Sequence, residues 1–132
     1  MAASSQPGLN RLPCAPWRDQ VEYVVGDALK AETLPAALHG CSAAYYFIHS
    51  LFGGSDFVDQ DVRAARSFSH AAKEAGIGRI IYLGGLGDPE QHLSDHLRSR
   101  QQTGEALREA GVPVTEFRAA IIVGSGSASF EI

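Results

Sequence analysis

Residues 80–88 read IIYLGGLGD, an apolar run that stops at two adjacent glycines. The run has the length and the β-branched content of a buried strand. Glycine after such a strand leaves room for a ligand or a neighbouring backbone, or it simply turns the chain. A G-x-G-x-x-G phosphate fingerprint is absent from the sequence, because Glu90 stands at its last position and Pro89 would break the helix that must follow. For Gly84 and Gly85 the sequence leaves a ligand-facing role and a strand-end turn open.

Further runs of strand type lie on both sides of this one. The run AAYYFI is apolar on both faces, which is typical of a central strand in a parallel sheet. Strands are predicted at 21–25, 43–48, 79–83 and 114–118, and a further apolar run lies at 120–123.

Helical patterns separate the predicted strands. In the longest of them, apolar residues recur at spacings of three and four, so that helix is amphipathic. Thr33 is predicted to cap the first helix, and Pro35 to lie in its first turn. The helices are predicted at about 33–39, 56–75 and 94–110, and Gly40, Gly76 and Gly111 are predicted to end them.

Regular alternation of strands and helices is the pattern of an α/β fold. Right-handed crossovers then make the sheet parallel. The sequence predicts a three-layer, Rossmann-like parallel sheet, truncated to about four to five strands, with helices on both faces. Residues 1–20 are predicted to be irregular, and 21–132 to form one partial domain. In such sheets ligands bind at the carboxyl ends of the strands.

Composition excludes several classes of function. The chain has 132 residues and a net charge of −4 without a basic block, which argues against a nucleic-acid surface. Its two cysteines are too few for a disulfide framework and lie in no metal-type spacing. Apolar stretches are too short for a membrane helix, and the first residues lack the apolar core of a signal peptide. We therefore expect a cytoplasmic protein.

Three segments, taken in order, resemble the atypical short-chain dehydrogenase/reductase superfamily, above all its NmrA-like and sugar-epimerase-like branches. They read VVGDALKAETLPAALHGCSAAYYFIHS, RIIYLGGLGD and HLRSRQQTGEALREAGVPVTEFRAAIIVGSGS. The resemblance covers roughly residues 21–130. It implies a Rossmann fold that binds NAD or NADP, and an oxidoreductase or isomerase ancestry. The two cofactors are not distinguished, because the residues that read the ribose 2′ position follow the family's second strand, outside the match.

The resemblance also implies which residues line the dinucleotide. Asp27 and Ala28 would lie at the adenine. Ribose and pyrophosphate would pass the end of the second predicted strand, and the nicotinamide would lie beside the ends of the third and fourth. The implied residues at these ends are Phe47, Ile48, His49 and Ser50, then Leu83, Gly84 and Gly85, then Ala119, Ala120 and Ile121.

Two departures from the family pattern stand out. The family's glycine-rich turn has no match before Val21, so we expect the chain to begin after the family's first βαβ unit, as the middle of a longer enzyme. The family's Tyr-x-x-x-Lys pair aligns with His96 and Arg100. These two are the implied catalytic residues, because histidine can move a proton and arginine can bind a ribose hydroxyl or phosphate. Arg100 is thus also an implied cofactor ligand.

Other polar motifs have ordinary explanations. His92 and His96 have the spacing of helical zinc ligands, but no glutamate lies between them in the H-E-x-x-H manner, so no metal site is predicted. His49 is interpreted as a hydrogen-bonded histidine at a strand end. The stretch GSGSAS at 124–129 is interpreted as a flexible tail, since no helical pattern follows it.

Two functions therefore remain open from the sequence. The first is an NAD(P)-dependent oxidoreductase or isomerase. The second is a non-catalytic, truncated Rossmann-like module that binds itself as a homodimer or binds a complementary chain, because a sheet without its first strands exposes an edge and an apolar face.

Overall fold

The computed structural model describes residues 2–3, 20–50, 57–87 and 94–120. Strands and helices alternate along it, which confirms the predicted α/β class. The strands are β1 (Ala2–Ala3), β2 (Tyr23–Val24), β3 (Ala43–Tyr46), β4 (Arg79–Gly85) and β5 (Val114–Ala119). The helices are α1 (Leu34–Leu38), which follows a 3₁₀ turn at Ala31–Thr33, α2 (Phe57–Glu74) and α3 (Asp95–Arg108).

The main sheet is parallel and has the spatial order β3-β4-β5, which is also the order along the chain. The register places Tyr46 beside Tyr82 and Gly85 beside Ala119. Strands β1 and β2 form a separate parallel pair. Since parallel strands present their carboxyl ends at one edge, the segments that follow β3, β4 and β5 meet there.

The core lies between one face of this sheet and the helices. Strands β3 and β4 alternate between buried and more exposed residues, and their buried side chains join the helical core. Small residues on α2 and α3 let the two helices pack closely on the sheet and on each other. The core side chains include Leu34 and Leu38 of α1, Ala65, Phe68 and Ala72 of α2, Tyr46, Ile80 and Tyr82 of the sheet, and Ala106 and Leu107 of α3.

Helices were predicted on both faces of the sheet, but the helices within the described ranges cover one face. The physical reason is the strand order: two successive right-handed crossovers that advance in the same direction place their helices on the same side. On the other face, Tyr45, Phe47 and Phe117 are 66%, 56% and 59% exposed. We call this surface, formed by the outward side chains of β3, β4 and β5, the open face.

Strand boundaries differ from the sequence prediction in both directions. The strand predicted at 21–25 is paired only at Tyr23–Val24, because its partner β1 has two residues. The strand predicted at 43–48 ends at Tyr46. Strand β4 instead continues past its predicted end, because Gly84 and Gly85 pair with β5. The two glycines therefore lie in the strand and do not form a turn after it.

The helix ends agree with prediction more closely. Gly76 and Gly111 follow α2 and α3 with positive φ angles of 75° and 81°, a conformation that glycine adopts without a steric penalty. Thr33 occupies the N-cap position of α1 as predicted, but its hydroxyl makes no cap bond and instead donates to the carbonyls of Asp27 and Lys30. Outside the described residues lie Pro89, Glu90, His92, Ile121, most of 1–20, most of 120–123 and all of 124–129.

Candidate functional site

The carboxyl edge of the main sheet brings two histidines from distant parts of the sequence together. His49 follows β3, and His96 lies in the first turn of α3. Their rings are 6.4 Å apart between centroids, in an edge-to-face arrangement. Ser94 caps α3 by accepting a hydrogen bond from the amide of Leu97 (3.4 Å), which fixes the start of the helix. The sequence alignment had implied roles for both histidines without indicating that they are neighbours.

The segment after β3 is held by its own backbone and by the core. The Nδ1–H group of His49 donates to the carbonyl oxygen of Phe47 (3.2 Å). Ile48 packs against the core, whereas Phe47 is exposed and its ring lies 5.7 Å from that of Tyr45. The segment therefore has one anchored residue and two that face solvent.

Gly85 makes room for the helix that carries His96 and Arg100. A Cβ atom at Gly85 would lie 2.9 Å from Cδ2 of Leu97 and 3.7 Å from Cγ of Arg100. One turn of α3 is fixed to the same strand, because the hydroxyl of Tyr82 donates to the carbonyl oxygen of Arg100 (2.8 Å). Close approach at Gly85 thus positions Arg100 against the end of β4.

Gly84 makes room for a carboxylate. A Cβ atom there would lie 2.5 Å from Oε1 of Glu116, whose side chain is held by Arg108 (2.7 Å) and Arg118 (3.2 Å). Partial burial acts to raise the pKa of Glu116, but the hydrogen bonds from the two arginines outweigh it, so the pKa lies below its usual range. The space beside Gly84 is therefore on the packed side of β4, where Glu116 lies between the sheet and α3.

A buried carboxylate that sequence reasoning missed lies beneath this edge. Asp61 of α2 is 6% exposed and accepts hydrogen bonds from Ser50 and from Ser99 of α3. A sequence signal did exist. Asp61 lies three residues after Val58 and four before Ala65, so it is a polar residue on the apolar stripe of an amphipathic helix.

Other residues implied by the resemblance are more dispersed. Asp27 serves its own turn: its Oδ1 accepts from the amide of Leu29 (3.0 Å), and its amide donates to the hydroxyl of Thr33 (2.9 Å). Ala28 is buried, and Leu83 is half-buried. Ala119 ends β5, where its carbonyl accepts from the amide of Leu86 (3.2 Å), and Ala120 is exposed.

Two further kinds of feature were sought in the described ranges. No three residues among their histidines, cysteines, aspartates and glutamates are grouped as a metal ion would require. None of their helices is long and apolar enough to cross a membrane.

Comparison with solved structures finds several proteins with a similar fold. The chain is similar to triphenylmethane reductase of Citrobacter sp. complexed with NADP(H), at 26% identity over 77% of this chain and 34% of the reductase, with a TM-score of 0.63. It is similar to a nucleoside-diphosphate-sugar epimerase of Staphylococcus aureus at 20% identity, with a TM-score of 0.69 over 88% of this chain and 39% of the epimerase. A short-chain dehydrogenase/reductase superfamily protein of Agrobacterium tumefaciens with bound NAD gives 18% identity and a TM-score of 0.60, over 74% of this chain and 37% of that protein.

The chain thus spans between 34% and 39% of the length of these three proteins. None of the curated proteins matches it. A family model described as NAD(P)H-binding matches residues 9–122, which is well over half of the chain. With its parallel sheet and its Rossmann-type structural neighbours, the chain belongs to this NAD(P)H-binding family.

Proposed function

We propose that the chain forms the dinucleotide-binding part of an atypical short-chain dehydrogenase/reductase that acts as an NAD(P)-dependent oxidoreductase or isomerase. The observation that carries this proposal is the approach of His49 and His96 at the carboxyl edge of the sheet, with Arg100 one turn further along α3. This is the edge at which ligands bind in open parallel sheets. Membership of the NAD(P)H-binding family supports the same ligand.

The donor groups at this edge suit a phosphate-bearing dinucleotide. Arg100 offers a permanently charged, forked donor for a phosphate or a ribose hydroxyl. In this proposal His49, whose ring lies near that of His96, contacts the ribose and pyrophosphate, and His96 is the residue that holds or moves a proton. When bound, NAD(P) supplies the hydride chemistry, and the chain's part is to orient it and to exchange the proton.

The other residues implied by the family resemblance are proposed to contact other parts of the cofactor. In this proposal Asp27 and Ala28 lie at the adenine. Phe47, Ile48 and Ser50 follow the ribose and pyrophosphate, and the nicotinamide lies against the residues that end β4 and β5. The proposed contacts are Leu83, Gly84 and Gly85 of β4, Ala119 at the end of β5, and Ala120 and Ile121, which follow it in the sequence.

Calorimetric titration of the purified chain with NADPH and NADH tests the proposal. We expect a dissociation constant in the micromolar range for at least one of them, about 1–100 μM. Arg100→Ala should raise that constant about tenfold, which corresponds to about 1.4 kcal/mol for a lost charge-assisted hydrogen bond. Arg98→Ala is the matched control, because Arg98 lies on the same helix but is paired with Asp95 on an exposed surface.

The alternative results have clear meanings. If neither cofactor binds at millimolar concentration, the chain does not hold the dinucleotide by itself. If Arg100→Ala and Arg98→Ala change the dissociation constant equally, Arg100 has no specific role in binding.

The open face favours a second role. Three aromatic side chains that are each more than half exposed lie on one apolar surface, whereas monomers rarely expose large contiguous apolar patches. We propose that two copies of the chain pack their open faces together, since an apolar surface is complementary to itself across a two-fold axis.

Light scattering with dilution measures this association. We expect the purified chain to have the mass of a dimer at micromolar concentration, and Phe117→Asp to shift it to the mass of a monomer, raising the dissociation constant at least about tenfold. Leu29→Asp is the control, because Leu29 is exposed in the turn after β2, away from the main sheet. A monomeric mass for the unmodified chain at all concentrations would rule out the dimer.

A further inference from the structure

Asp61 is a charged residue in an apolar setting. Its side chain is buried on α2, and Ala64 and Ala65, three and four positions further along the helix, are buried as well. Burying a carboxylate without hydrogen bonds is strongly unfavourable. The role of this carboxylate can therefore be inferred from the residues that donate hydrogen bonds to it.

The donors come from two separate elements. The amide and the hydroxyl of Ser50 donate to Oδ1 of Asp61, at 3.1 and 2.9 Å. The hydroxyl of Ser99, which is 1% exposed on α3, donates to Oδ2 at 2.9 Å. One carboxylate thus connects the segment after β3 to the first half of α3.

These two elements are the walls of the candidate site. Ser50 directly follows His49, and Ser99 directly precedes Arg100 and lies three residues after His96. Oδ2 also accepts a longer hydrogen bond from the amide of Ser50 (3.4 Å). Both walls are therefore bonded to the same carboxylate, which links their positions. Ser50 is itself among the proposed cofactor contacts, whereas Ser99 is not.

Docking of α2 on α3 does not depend on this carboxylate. Further along α2, the buried hydroxyl of Ser69 bonds to the carbonyl oxygen of Ala106 (3.3 Å). Arg66 also pairs with Glu109 (2.8 Å) at the surface. Since these contacts already join the two helices, a buried charge at Asp61 needs a reason other than helix packing.

We infer that Asp61 is a positioning residue, which holds the two walls of the dinucleotide site in register through Ser50 and Ser99 without touching the cofactor. The expected effect on cofactor binding rests on the proposed function. The hydrogen bonds that connect the two walls through Asp61 do not depend on a cofactor. Arg100 and the His49 segment are then pre-arranged before binding, which lowers the entropic cost of ordering them.

The first test needs no cofactor. In Asp61→Asn, one carboxylate oxygen is replaced by a donor group, so the amide of Ser50 should lose its partner or its charge-assisted bond. We expect its hydrogen exchange, followed by NMR, to become about tenfold faster, because the loss of a charge-assisted bond is worth roughly one order of magnitude. If Asp61→Asn does not fold, Ser99→Ala replaces it, and the expected result is a shift of the Ser50 amide resonance caused by a change 49 positions away.

The second test measures NADPH binding by calorimetry. Ser99→Ala should raise the dissociation constant about fivefold, because Ser99 is not a proposed cofactor contact and acts on the site through its hydrogen bond to Asp61. Ser69→Ala is the matched control: it removes another buried hydroxyl between α2 and α3, and it should leave both the Ser50 amide and NADPH binding unchanged.

The outcomes separate this inference from the proposed function. An unchanged Ser50 amide in Asp61→Asn, or in Ser99→Ala where that variant replaces it, would overturn the connection. If Ser69→Ala and Ser99→Ala weaken NADPH binding equally, the effect of Ser99 comes from general packing of the two helices and not from its bond to Asp61. If the unmodified chain binds neither cofactor, the proposed function fails, whereas the amide measurements still decide whether Asp61 couples the two walls.

Discussion

Gly84→Ala is expected to lower the free energy of unfolding by about 1–3 kcal/mol, the usual cost of forcing an extra methyl group into a packed core. Alanine in a strand would ordinarily be neutral or slightly favourable relative to glycine. The expected loss therefore comes entirely from the neighbours of Gly84. The new Cβ atom would lie 2.5 Å from Oε1 of Glu116 and 3.3 Å from Cε1 of Tyr82.

Neither neighbour can move away freely. Glu116 forms ion pairs with Arg108 and Arg118, so shifting its carboxylate breaks at least one of two short contacts. Gly104 of α3 lies on its other side, because a Cβ atom there would be 3.5 Å from Oε2 of Glu116. The ring of Tyr82 is fully buried. Strand, helix and carboxylate are thus packed together around Gly84.

Urea denaturation of the variant measures this loss. Gly78→Ala is the control, because Gly78 lies just before the same strand and a Cβ atom there would only come within 3.4 Å of the carbonyl oxygen of Ser42. Adding Glu116→Ala should reduce the cost of Gly84→Ala, since the carboxylate that clashes is gone. Equal stabilities for Gly84→Ala and Gly78→Ala would show that the space beside Gly84 is not filled.

This crowding explains why the opening sequence IIYLGGLGD was ambiguous. The alternation of strands and helices follows from local periodicity, and the structure confirms it. The environment of Gly84 depends instead on Glu116, which is 32 positions away and reaches it only through the pairing of β4 with β5. A sequence window around the glycines contains no information about that partner.

The arrangement of the candidate site could also be predicted only in part from local sequence. The sequence placed His96 and Arg100 on a helix, and the structure has them on α3. It placed His49 at a strand end, whereas β3 ends three residues earlier, at Tyr46. Their proximity depends on how α3 crosses the sheet, which the periodicity of one segment does not specify. Asp61 was missed because it stands on an apolar stripe, where a single polar residue looks like an exception to the pattern.

The two buried tyrosines of the sheet are expected to respond differently to loss of their hydroxyl groups. Tyr46 and Tyr82 are adjacent in register, and both are almost completely buried. The hydroxyl of Tyr82 donates to the carbonyl oxygen of Arg100, whereas that of Tyr46 has no hydrogen-bond partner among the described residues. Burial raises the pKa of both, and in Tyr46 the negative charge of Asp61 adds to the effect, so both phenols stay protonated.

Tyr82→Phe removes a satisfied hydrogen bond and should therefore lower the free energy of unfolding by about 1 kcal/mol. Tyr46→Phe removes a buried polar group that gains nothing from burial, so its removal should leave stability unchanged or raise it, by about 1–3 kcal/mol at most. Tyr45→Phe is the control for the chemical change itself, because Tyr45 lies on the same strand but on the open face.

Urea denaturation of the three variants shows which hydroxyl groups contribute to stability, because each variant loses one phenolic oxygen and nothing else. A Tyr46→Phe variant that loses as much stability as Tyr82→Phe would mean that the hydroxyl of Tyr46 is hydrogen-bonded in solution. If Tyr46→Phe is neutral or stabilising, the hydroxyl of Tyr46 contributes nothing to folding stability, as expected from its lack of a hydrogen-bond partner among the described residues.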